Sequence, residues 1–422
     1  MSSVHGEGAF ETAIEAHLLT NGWVQGSPSH YRRDLGLDTA VLFEFIGATQ
    51  AKAWDRLVGL HGGADQAQLK FSKLLAAQID ARGTVDVLRR GVEDMGVKLR
   101  LAFFKPAHAL TPDLLALYDA NRLVVSRQVH HSESNPQDSL DLLLLVNGLP
   151  VATIELKNQV TGQTVEHAKR QYRFDRNPKD LVFDRRTVVH FAVDQDLVFL
   201  TTRLEGEKTR FLPFNQGSGG PGREGGKGNP PNAKGYRTAY LWEQVWQRDN
   251  WLDLLARFVH EDKPKGKGKK AVKRGKVIFP RYHQWDLVLR LADHAATFGP
   301  GRNYLPQHSA GSGKSNSIAW LAHRLSTLHT PADPSLLTDH ATGLGLGPNE
   351  KVFHKVVVVT DRVILDRQLQ DTIWQFDHTP GVVERIDKNS AQLAEALEGS
   401  RWPSLCFPPI LPRCSRVRRR PS

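Results

Sequence analysis

The chain has 422 residues, 40% of them hydrophobic and 24% charged, enough apolar surface for at least two cores. Its longest apolar run, Leu142 to Val146, falls far short of the roughly 20 residues that a membrane span needs, and the opening MSSVHGEGAFETAIEAHLL lacks the order of a signal sequence. The net charge of +11 misleads, because Lys263 to Lys276 and Arg401 to Ser422 hold eight and six basic residues and no acidic ones, leaving −3 for the rest.

In chain order, the first informative stretch is SLDLLLLVNGLPVATIELKNQ, residues 139–159. Two apolar runs flank Asn147-Gly148, the signal of a β-hairpin. Glu155 and Lys157 stand two apart, so both side chains leave the same face of the second strand. Whether Asp141 joins them depends on the turn. A two-residue loop sets Asp141 opposite Ile154 and away from Glu155; a three- or five-residue loop, or one bulge, sets it across from Glu155. Pro150 cannot donate a ladder hydrogen bond, which favours the longer turn, so an odd-length connection or a bulge is expected. Two carboxylates so placed can hold Mg2+ by oxygen ligation, and Lys157 can orient water or stabilise charge on a phosphorane. The bland alternative is an Asp and a Glu at strand ends beside a surface lysine. His130-His131 lacks metal-ligand spacing and reads as a pair of surface or core polar groups.

Asn215 to Gly235 is too rich in glycine and proline for regular structure and reads as a long loop. The lysine-rich run at 263–276 reads as a solvated linker at a domain junction, or as an arm contacting phosphates. Gln284 then precedes a second motif by a helix's length. Asn303 to His308 are expected to form a short strand, SAGSGKS a loop, and Ile318, Leu321, Ala322, Leu325 and Leu328 the buried face of a helix. This is the order of a phosphate cradle: Gly311 and Gly313 let the backbone approach the phosphates, Lys314 reaches the β- and γ-phosphates, and the Ser315 hydroxyl can ligate Mg2+. His308 replaces the usual first glycine. Val356 to Val359 are expected as a fully buried parallel strand, followed by a helix with Leu365, Leu369 and Ile373 on one face. No acidic pair of the DEAH or DECH kind follows Lys314, so nothing orients an attacking water. After Ser400 the chain turns to RWPSLCFPPILPRCSRVRRRPS, read as a frame change, a truncation or a native arginine-rich tail. Both cysteines, Cys406 and Cys414, lie there, so no disulfide framework or cysteine metal cluster is expected and a reducing cytoplasm fits.

The ordered set DLLLLVNGLPVATIELKN, QYRFDRNPKD, TVVHFAVD, FLPFN, GNPPN, TAYLWEQVW, FPRYHQWD, HSAGSGKSNSIAWLAHRL and VVVVTDRVILDRQLQDTI resembles the restriction (R) subunit of type I restriction–modification enzymes, from about Gly8 to about Ser400. The resemblance implies an α/β chain in which a PD-(D/E)xK, RecB-like nuclease domain over 1–262 and the linker at 263–276 precede a partial RecA-like P-loop domain of superfamily 2 helicase type over 277–400, with an aberrant tail at 401–422. It makes Asp141, Glu155 and Lys157 the nuclease triad, with Asp141 and Glu155 as metal ligands, and it makes Gln284, Gly311, Ser312, Gly313, Lys314 and Ser315 the ATP site. It further implies ATP and Mg2+ as cofactors, and double-stranded DNA with modification (M) and specificity (S) subunits as partners. The related glutamine and tyrosine four apart are absent, since Gln171 directly precedes Tyr172. Family members continue through an acidic ATPase motif and a second motor lobe, so a motor unable to translocate is expected here. A catalytically silent DNA- or partner-binding remnant is the alternative, and an unrelated small-molecule ATPase lacks an accompanying substrate motif.

Overall fold

The computed structural model describes residues 4–159, 162–262, 275–359, 373, 383–385 and 405–407. Two compact units emerge: Met1–Pro106 with Thr111–His283, and Ala107–Leu110 with Gln284–Ser422. No helix among the described residues is long and apolar enough to cross a membrane.

The first unit is mixed α/β. Helix α1 (Val4–Thr20) leads into a seven-stranded sheet whose strands lie side by side in chain order: β1 (Val24–Gln25), β2 (Leu123–His130), β3 (Ser139–Val146), β4 (Leu149–Leu156), β5 (Val189–Val193), β6 (Val198–Thr201) and β7 (Leu212–Pro213). The pairs β1–β2 and β4–β5 are parallel, and the others antiparallel. Every residue of β4 is buried, and so are Leu142 to Val146 of β3. A central strand covered on both faces needs apolar side chains at every position, which accounts for the unbroken leucine run. Arg127 of β2, paired opposite Leu142, ties the sheet to α1 through Glu11 at 2.6 Å and Glu15 at 3.0 Å.

The β3–β4 hairpin fixes the register of the site. Val146 pairs with Leu149, so the turn is the two-residue Asn147-Gly148, with both residues at positive φ, as the right-handed twist of the flanking strands favours. The irregularity comes next: Leu145 pairs with Pro150 but Leu144 with Ala152, leaving Val151 as the extra residue of a β-bulge. The bulge, expected as one of two alternatives, is present; the longer turn that Pro150 favoured is not. Pro150 sits beside the bulge, where the ladder is already interrupted. Asn147 holds the turn to the body: its Oδ1 accepts from Arg122 N at 2.7 Å, and its Nδ2 donates to Leu101 O at 2.8 Å and Asn121 Oδ1 at 2.9 Å.

Asn215 to Gly235 contains no helix or strand, yet turn hydrogen bonds order it, including Gly217 N to Gly228 O at 2.8 Å. Residues 263–274 of the lysine run lie outside the described residues. His260–Asp262 and Lys276–Ile278 pair as antiparallel strands inside the first unit, and the change of unit falls at His283/Gln284 instead.

The second unit departs from expectation at three places. Asn303 to His308 form no strand: Leu305 is 95% exposed, and Pro306 lacks the N–H that a ladder uses. Helix α4 below (Lys314–Ser326) buries Ser317, Ala319, Trp320, Ala322 and Ser326, leaving Ile318 exposed and Leu321 and Leu325 half-buried, while Leu328, also half-buried, lies past the end of the helix. Trp320, the largest apolar side chain on the helix, sets which face turns inward. Strand pairing is confined to Val356–Val357, with Val356 half-buried and Val357 and Val359 exposed, so this strand is shorter and more open than four consecutive valines imply. It pairs in parallel with Leu405–Phe407, which in turn pairs in parallel with Val383–Arg385. Leu365 and Leu369 lie outside the described residues, as does the tail apart from 405–407; Ile373 is described and buried.

Candidate functional site

The bulge brings Asp141 and Glu155 together. With Leu142 opposite Ile154, the next pair outward is Asp141 and Glu155, and directly opposed side chains on adjacent strands share a face. That face also carries Thr153 and, just past the end of β4, Lys157, whose N–H extends the parallel ladder to Val193 O at 2.9 Å. Asp141 is half-buried, and its Oδ2 accepts from Leu156 N at 2.7 Å.

The segment after β4 covers this face. Helix α3 (Val165–Arg170) runs into one turn of π-helix, Gln171–Asp175, and leaves it at Arg176. Tyr172 and Arg176 descend onto two residues of β4 that are themselves two apart. The Tyr172 hydroxyl lies 2.9 Å from Thr153 Oγ1, while Arg176 Nε donates to Glu155 Oε1 at 2.7 Å and Nη2 to Ser139 O at 2.6 Å. A π turn accommodates one more residue than an α turn, and such insertions recur at functional sites. Tyr172 therefore serves the core, within the cluster of Leu143, Leu145, Ala168, Phe183 and Ala192.

Glu155 is fully buried, with Oε2 satisfied by no hydrogen-bond donor among the described residues. Burial pushes its pKa up to about 8, Asp141 adds to the shift, and Arg176 and then Lys157 oppose it. Burial works against the charge on Arg176, but Glu155 more than compensates and holds it above its ordinary value. Glu11 of α1 is also raised, by burial foremost; the hydrogen bond from Arg127 opposes this and Asp141 reinforces it. His131 is buried beside Asp180 at 3.3 Å, and burial, with Arg176 next, lowers its pKa to about 3, so it stays neutral.

No three His, Cys, Asp or Glu side chains among the described residues form a metal-binding group. Mg2+ asks for less: it keeps several waters and takes one or two carboxylates, the remainder coming from substrate phosphates. Asp141 and Glu155 fit that demand, and the unsatisfied Glu155 Oε2 is the kind of buried oxygen that a cation would complete.

Sequence reasoning missed Arg176 and Glu11. Neither has a local signature: Arg176 is 21 positions from Glu155, and Glu11 lies on the N-terminal helix. The only advance signal for Arg176 was its position in a run dense with Arg and Lys shortly after the hairpin.

In the second unit, α4 (Lys314–Ser326) begins at the expected lysine, capped by Gly313 at φ 86°, with Gly311 at φ 73°. Both glycines hold left-handed conformations that other residues resist. Lys314 is exposed and Ser315 half-buried, while Ser312 is buried with Oγ donating to Ser309 O at 2.8 Å. Gln284, also buried, donates from Nε2 to Gly313 O at 2.9 Å and Ser312 O at 3.3 Å, so its amide braces the loop.

No curated protein matches the chain. Residues 64–211, which hold Asp141, Glu155, Lys157 and Arg176, match the family model described as type I restriction enzyme R protein N terminus (HSDR_N), and this match supports an R-protein N-terminal region in that stretch.

Proposed function

We propose that the first unit is the endonuclease of a type I restriction enzyme, cutting double-stranded DNA with Mg2+, and that it works alongside M and S subunits which supply modification and sequence recognition. One observation carries the reading: a bulge aligns Asp141 with the buried Glu155, whose Oε2 has no donor, and Lys157 follows on the same edge. Asp141 and Glu155 would hold the metal, which when bound polarises the phosphodiester and lowers the pKa of its water. Lys157 would hold that water in line or meet the charge on the phosphorane. Lys157→Ala is expected to slow Mg2+-dependent cleavage of plasmid DNA by about 10²- to 10³-fold with little change in DNA binding. Equal cleavage by the two proteins would sink the reading, and DNA binding by both without cleavage would favour a silent binding remnant.

We propose further that the glycine loop before α4 binds the phosphates of ATP, with Gly311, Ser312 and Gly313 presenting backbone, Lys314 the cation and Ser315 the hydroxyl beside Mg2+. What supports this is the pair of left-handed glycines leading into the N-terminus of a helix, where N–H groups favour anions. Gln284 would then belong to the site by bracing the loop. Lys314→Ala should weaken binding of a fluorescent ATP analogue about 10- to 100-fold, the worth of one charged hydrogen bond. Unchanged affinity would remove the loop from consideration.

A further inference from the structure

We propose that Arg176 is a positioning residue that makes Glu155 a one-oxygen ligand and thereby biases the site toward a small octahedral divalent cation over Ca2+; this rests on the metal site proposed above. The guanidinium is fixed at two points on neighbouring strands, Glu155 Oε1 at 2.7 Å and Ser139 O at 2.6 Å, and Arg176 is itself buried. The turn before it is pinned to the same face by the Tyr172 hydroxyl at Thr153. These anchors hold the guanidinium on Oε1 of Glu155 and leave Oε2, which no donor among the described residues satisfies. The carboxylate can turn both oxygens onto one cation only by sharing Oε1 between the cation and the arginine. Asp141 is under the same constraint from the other strand, since its Oδ2 is committed to Leu156 N at 2.7 Å.

Each carboxylate therefore has one oxygen already engaged by the protein, which disfavours ligation through both. A cation that takes about six to eight oxygens, bidentate carboxylates among them, is poorly served by such a pair; one that needs about six and keeps several waters is well served. Ligand-orienting partners of this kind change metal affinity by about 10- to 100-fold when removed.

The test is calorimetric titration of Mn2+ and of Ca2+, separately, into the full chain without DNA or nucleotide, with Mn2+ standing for Mg2+ as an octahedral oxygen-binding ion. Arg176→Met is expected to narrow the preference for Mn2+ over Ca2+ by about tenfold or more. Loss of the guanidinium charge acts alike on two divalent ions, so their ratio isolates ligand geometry. Arg176→Lys keeps a donor for Glu155 and is expected to retain most of the preference. Should Arg176→Met not melt cooperatively, Arg176→Gln, too short to bridge Glu155 and Ser139, is read in its place. An unchanged ratio in a cooperatively melting variant, with Mn2+ binding still lost in Asp141→Asn, overturns the role of Arg176 and leaves the metal site standing. Mn2+ binding that survives Asp141→Asn overturns the metal site and this inference with it.

Discussion

Glu155→Gln is expected to give a protein that cuts no DNA and melts at a higher temperature than the parent in the presence of a chelator. The buried carboxyl holds its proton until about pH 8, whereas in the unfolded chain it releases it near its ordinary value of 4.5. The folded state thus binds the extra proton between those values, and stability falls as pH rises through that window. A glutamine resembles the protonated carboxyl in shape and still offers Oε1 to Arg176, but it removes the ionisation that favours unfolding. The gain at pH 7 is on the order of 2–3 kcal/mol. It should vanish below about pH 4, where both forms of the parent are protonated. Thermal melts of the two proteins at pH 4 and pH 7 check it. A parent that melts higher than the variant at pH 7 would show that the ionised Glu155–Arg176 pair contributes more than its burial costs.

Gly148→Ala is expected to cost on the order of 3 kcal/mol or more and to unsettle the hairpin. Gly148 sits at φ +84°, a region an alanine enters at a cost, and a Cβ there would lie 2.3 Å from Asp38 O and 2.9 Å from Leu42 N. Both are backbone atoms at the start of the helix Thr39–His61, so no side chain can swing aside. The same contact is a hydrogen bond in the parent, Asp38 N donating to Gly148 O at 2.9 Å. Chemical denaturation with an unchanged slope and a lower midpoint would confirm the loss. Wild-type stability would mean that the helix can retreat from the turn.

The hairpin and its bulge were legible because they follow from local rules: an Asn-Gly turn, a proline that cannot donate, and side chains alternating along a strand. The turn length was harder to read, because Pro150 could be accommodated either by a longer loop or beside a bulge. Arg176 was not legible at all. It reaches Glu155 only because α3 passes into a π turn, and no pattern in QYRFDR announces one. The face buried by α4 shows the reverse failure: helical spacing picked out Ile318 and the leucines, but packing turned on Trp320 and small residues. At Asn303 to His308 a short strand was expected, but a strand also needs a neighbour to pair with, and none is present among the described residues.

Asp141 stands five residues before the turn-closing Val146, and Glu155 six after Leu149. With these unequal arms an unbulged hairpin would send the two carboxylates to opposite sides, and Val151 absorbs the difference. Its side chain has no part in the chemistry, and exchanging it for another strand-forming residue leaves the tally of residues intact. The alignment of the acidic pair is thus written in parity, as a difference of one between two arms. A scan of substitutions along the hairpin would pass over it, whereas adding one residue to the longer arm would expose it.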